Sequence, residues 1–88
     1  MQTKTFQVTN EGGLHARPAA VLVSLAKGFK SQLTISCGEN SAPLKNPIGL
    51  LSLGISQGSA VAVTADGQDE EAALERIGLF FEEELKSL

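Results

Sequence analysis

The chain has no tryptophan and no tyrosine, and only four phenylalanines among its 88 residues. With no Trp or Tyr for bases to stack on, and with its seven Lys and Arg residues scattered, it lacks the dense basic stripe and stacking aromatics of a nucleic-acid binder. A single cysteine, Cys37, leaves no internal disulfide framework and points to a reducing cytoplasm. One histidine and one cysteine, His15 and Cys37, do not make a metal cluster, so no metal is expected. No apolar run is long enough to cross a bilayer and no charged-then-apolar leader opens the chain, so membrane insertion is not expected either. The nine glycines form no Gly-rich loop ending in Lys-Ser or Lys-Thr, the form that cradles nucleotide phosphates, and no cofactor is implied.

What is present is an ordinary folding composition, 42% apolar and 19% charged. The length allows one modest core, hence a single domain over residues 1–88. The net charge of −3 is unevenly spread. Residues 1–65 are basic on balance, whereas 66–88 carry eight acidic side chains against Arg76 and Lys86. The Glu82-Glu83-Glu84 run reads as a solvated helix face between inward-turned Phe81 and Leu85.

Apolar spacing divides the chain into seven elements. Thr3–Thr9 alternates, with Phe6 and Val8 on one face, as in a half-buried strand. Asn10-Glu11-Gly12-Gly13 is a flexible turn, followed by a helix to Lys27 whose inner face is Ala19, Leu22, Val23 and Ala26. Gly28, just past the end, reads as its terminator. Leu33, Ile35 and Cys37 alternate in a second strand, with Cys37 as a small core residue. Residues 41–44 return as a short third strand, put at the sheet edge by Pro43, which cannot donate to a ladder. Asn46-Pro47 starts a short helix that stops at Gly54. Val61 and Val63 share a face of the fourth strand. Asp69 is set to cap a closing helix on whose inner face lie Ala73, Leu74, Ile77, Phe80, Phe81 and Leu85. This order, βαββαβα, packs most economically as a four-stranded sheet with three helices on one face and solvent on the other, an α+β class.

Chemistry concentrates in Gly13-Leu14-His15-Ala16-Arg17-Pro18-Ala19-Ala20. The solitary His15 precedes a helix start, where proline in the first turn is well tolerated and unpaired amides form an anion site. A neutral imidazole can attack phosphorus and hold the group covalently. Phosphoryl transfer asks the protein mainly for positioning and for neutralisation of the oxygens, which the first-turn amides and the Arg17 guanidinium supply.

Read in full, that octapeptide resembles the active-site signature of the histidine-containing phosphocarrier family, HPr, of the bacterial phosphoenolpyruvate:sugar phosphotransferase system. The resemblance extends to length, element order, the Ser52-Leu53-Gly54-Ile55 segment and a closing helix after Asp66-Gly67. It implies an open-faced β-sandwich and a carrier, not an enzyme. His15 would take a phosphoryl group at Nδ1 from phosphorylated enzyme I and pass it to the enzyme IIA domains of sugar permeases. Arg17 and the Ala16 amide would steady the phosphate. It further implies a docking face at Ala20, Ser24, Lys27, Lys45, Pro47, Ile48, Gly49 and Leu51. The expected location is the cytoplasm, and nothing in the sequence demands more than a monomer. Of Ile48 and Leu51, one is expected to be buried, and Lys27 and Lys45 are expected at the rim, steering acidic partners. Many members of that family carry a serine where this chain has Asn46, so regulatory phosphorylation there is not expected. A second reading is a regulatory binding module using the same face. A third, a hydrolase with His15 as general base, has no adjoining serine and only Glu11 nearby.

Overall fold

The computed structural model describes all 88 residues. The elements run β1 (Gln2–Gln7), α1 (Ala16–Lys27), β2 (Gln32–Cys37), β3 (Asn40–Pro43), α2 (Pro47–Ser52), β4 (Ala60–Asp66) and α3 (Glu70–Leu79). The four strands make one antiparallel sheet in the order β1-β4-β2-β3, which leaves the Pro43-containing strand at an edge. Phe6 opposes Val61 and Ile35 opposes Val63, so the inward positions of neighbouring strands fall in register. The three helices cover that face. The outward positions Thr3, Thr5, Thr34 and Thr64 meet solvent or lie half-buried, and Thr3 and Thr64 share a hydroxyl hydrogen bond of 2.9 Å.

The core is one cluster in which every apolar residue assigned to the inner faces of α1 and the closing helix is buried. Phe81 stacks on Phe6 with ring centroids 5.0 Å apart, and Phe80 meets Phe81 edge-on at 5.3 Å. The closing helix is not uniform: α3 widens to a π turn over Phe80–Glu84 and tightens to a 3₁₀ turn over Leu85–Ser87. Glu84 reaches Arg76 at 3.0 Å, while Glu82 and Glu83 lie in solvent.

Three local expectations change. Gly28 has φ −75°, so the end of α1 does not use glycine's left-handed freedom; the Gly28 and Phe29 amides instead bond the Leu25 and Ala26 carbonyls, tightening the last turn. Cys37 is half-buried at the margin of the core, because β2 runs out there into the 38–39 turn. Asp69 does not cap its own helix with its side chain. Its carboxylate turns back to the segment entering β2, accepting from the Lys30 amide at 2.8 Å, the Ser31 amide at 2.9 Å and the Ser31 hydroxyl. These donors, the Ser31 hydroxyl foremost and the Lys30 amide next, hold the Asp69 carboxyl below the usual carboxylate range. The donors that α1 leaves behind outbid those of α3, where Glu70 accepts the Gly67 amide at 3.1 Å instead.

Candidate functional site

The segment carrying His15 is held on both sides. Upstream, Asn10 and Gly13 close a turn on each other, through the Gly13 amide to the Asn10 carbonyl at 3.1 Å and Asn10 Nδ2 to the Gly13 carbonyl at 2.8 Å. Gly13 has φ +62°, and a Cβ there would lie 2.5 Å from the Ile55 carbonyl oxygen, so the chain passes where only glycine fits. Leu14 is buried and its amide bonds that same Ile55 carbonyl at 3.1 Å. Downstream, Pro18 and Ala19 are buried. Between these anchors His15, Ala16 and Arg17 are exposed.

His15 is the residue that opens α1. Its backbone is extended, its side chain makes no capping hydrogen bond, and its carbonyl accepts the Ala19 amide at 3.0 Å as the first helical bond. The Ala16 and Arg17 amides precede that bond and have no partner within the helix, and Pro18 has no amide to offer. An exposed histidine and two free main-chain donors thus stand at the positive end of a 12-residue helix, with the exposed Arg17 in its first turn. That set can hold a tetrahedral dianion beside a ring nitrogen. No three His, Cys, Asp or Glu side chains gather as a cation site.

The expected docking residues divide. Ala20, Val23, Ser24, Lys27 and Pro47 line a cleft of about 250 Å³ between α1 and α2. Val23, assigned to the core from its spacing alone, forms part of the wall as well. Asn46 opens α2 as expected, its Oδ1 accepting the Ile48 and Gly49 amides at 3.1 and 3.2 Å. Ile48 is 79% exposed and Leu51 42%, so neither is the buried member of α2; that is Leu50 at 1%. Three positions apart, Ile48 and Leu51 share the outer side of a helix whose cap aims Leu50 inward. Gly49 lies half-buried, with a Cβ there meeting Ala42 at 3.3 Å, and so faces the sheet edge. Lys45 is not a free rim charge: it is half-buried, and its Nζ donates to the Phe29 carbonyl at 2.8 Å.

The fold is an open-faced sandwich that exposes one histidine at the mouth of a helix. The family described as "PTS HPr component phosphorylation site" matches residues 2–83. The chain is 39% identical over 77 residues to the phosphocarrier protein HPr of Haemophilus influenzae, covering 88% of this chain and 91% of that one. Its structure superposes on HPr-C-His from Thermoanaerobacter tengcongensis with a TM-score of 0.93 and 36% identity, covering 100% and 98% of the two chains. It also resembles Crh, a catabolite-repression protein of Bacillus subtilis described as a domain-swapped dimer, with a TM-score of 0.75 and 36% identity over 96% and 97%. The chain belongs to the HPr family of phosphocarrier proteins of the phosphotransferase system, and these are carriers, not enzymes. No helix is long and apolar enough to cross a membrane.

Proposed function

We propose that His15 is the phosphoryl acceptor of a relay in sugar uptake, charged by phosphorylated enzyme I and discharged to enzyme IIA domains. The observation that carries this reading is the exposed imidazole of His15, the residue that caps α1, next in the chain to the free Ala16 and Arg17 amides. In the transfer, the Nδ1 lone pair forms a bond to phosphorus as the bond from phosphorus to its donor breaks, the electron pair leaving with the donor. The Ala16 and Arg17 amides and the guanidinium neutralise the phosphoryl oxygens, and Nε2 keeps the ring proton. The protein works as a cytoplasmic monomer that meets its partners through the α1–α2 cleft and the apolar Ile48 and Leu51 beside it.

Phosphoenolpyruvate, magnesium and enzyme I should yield a single phosphoryl adduct by intact mass, lost in acid and kept in alkali. His15→Ala should abolish it, and its persistence in that variant would overturn the assignment. The likeness to Crh favours one second reading, a regulatory module that docks through the same face. In that case the wild-type chain takes up phosphate too slowly to serve a relay. Asn46 has no hydroxyl to phosphorylate, and its side chain is occupied in capping α2.

A further inference from the structure

We propose that Gly12 is a positioning residue for His15, its bare Cα forming the seat on which the imidazole rests. The inference builds on the reading of His15 as acceptor and adds what orients the ring. A Cβ at position 12 would lie 2.5 Å from Cδ2 and 2.9 Å from Nε2 of His15, and 3.6 Å from Cγ. The Cδ2–Nε2 edge is therefore packed against the Gly12 backbone, and Nδ1, across the ring from Cδ2, is turned away from it in an exposed side chain. The seat selects between two chemically similar nitrogens by covering one of them.

Gly12 is not required by the turn itself. The glycines with positive φ are Gly13, Gly38, Gly54, Gly58 and Gly67; Gly12 is not among them. An alanine at position 12 therefore meets no positive-φ strain, and the three atoms nearest its Cβ all belong to the imidazole, which must swing off. Gly13 is the opposite case. It has φ +62°, and its Cβ would meet backbone, the Ile55 oxygen at 2.5 Å and Ser56 Cα at 2.8 Å. Two adjacent glycines thus separate ring positioning from folding.

The test compares Gly12→Ala and Gly13→Ala with the wild type. Gly12→Ala should unfold at the same temperature or slightly higher, since it only restricts the unfolded chain. Gly13→Ala should unfold at a lower one. With phosphoramidate as a small donor, free of any docking, the ring nitrogen–phosphorus bond forms as the donor's P–N bond breaks and ammonia leaves. Gly12→Ala should react roughly tenfold to a hundredfold more slowly at Nδ1, the scale of an ångström's misplacement. Part of its adduct should move to Nε2, read by nitrogen–phosphorus coupling in NMR, a change that a merely structural role would not produce. Unchanged rate and unchanged nitrogen in Gly12→Ala would overturn the proposal. So would the absence, in the wild type, of a close proton contact between His15 Hδ2 and the Gly12 α-protons. That last measurement needs no phosphoryl transfer, so the ring seat is decided even if the acceptor reading fails because the wild type takes up no phosphate.

Discussion

Lys45 Nζ donates to the Phe29 carbonyl oxygen at 2.8 Å, fastening the segment before α2 to the end of α1. A cation near a helix C-terminus also complements the helix dipole. The two walls of the cleft are thereby held together by a side chain that a count of surface charges assigns to steering. Lys45→Met should cost about 1 kcal/mol in denaturant unfolding, the scale of one such hydrogen bond. Phosphoryl uptake from phosphoramidate should be unchanged, because the bond is remote from His15. Unaltered stability with a salt-dependent fall in transfer from enzyme I would return Lys45 to the rim.

The Asp69 carboxylate makes stability depend on acid. Its folded pKa is lowered, by the Ser31 hydroxyl first and then the Lys30 amide, so the unfolded chain takes up the proton more readily. The stabilisation is complete above the ordinary carboxylate range and is lost as pH falls through and below it. Glu70, lowered chiefly by the Gly67 amide and then by the terminal ammonium, adds to the same acid limb. Melting temperatures followed from pH 7 to about pH 3 should fall less steeply in Asp69→Asn than in wild type. Parallel curves would show that the charge on Asp69 does not contribute.

The elements, and the exposed His15 segment before α1, were legible because local rules governed them. Helical spacing identified Leu22, Phe80 and Leu85 as buried, proline put β3 at an edge, and Asn46-Pro47 opened α2, all without reference to distant residues. Asp69, Lys45 and Gly12 were not legible, for a common reason. Ser31 lies 38 positions from Asp69, and Phe29 lies 16 positions from Lys45, so each partner is supplied by tertiary folding. Gly12 and Gly13 look alike as a flexible pair, yet one is fixed by φ and backbone contact and the other by a side chain. The outward pairing of Ile48 and Leu51 escaped for another reason: α2 is apolar nearly all round, and such a short helix gives periodicity too few turns to choose a face.

The exposure of Ile48, at 79%, makes it a clean probe of docking. Ile48→Glu removes apolar surface that lies almost wholly in solvent, so unfolding stability should shift by no more than about 0.5 kcal/mol. Transfer from phosphorylated enzyme I should slow at least roughly tenfold, since an apolar contact would be replaced by a desolvated charge. Uptake from phosphoramidate should stay at the wild-type rate. A loss with both donors would mean that the substitution disturbs the acceptor itself, not the docking face.

Phe6 is the one buried residue of β1, whose other positions are all exposed. It lies between Phe81, stacked at 5.0 Å, and Gly78, where a Cβ would come within 3.3 Å of its ring. The strand's grip on the helix layer therefore runs through a single side chain, although it pairs with β4 in register from Gln2 to Gln7. Phe6→Ala should cost about 3–5 kcal/mol, the usual range for emptying a buried phenylalanine site. The loss should be local before it is global. Amide exchange should accelerate most along β4 where it faces β1, and in the first strand itself, while the β2–β4 amides keep their order of protection. If protection instead falls evenly across the sheet, the stack with Phe81 supports the whole core and not one edge strand.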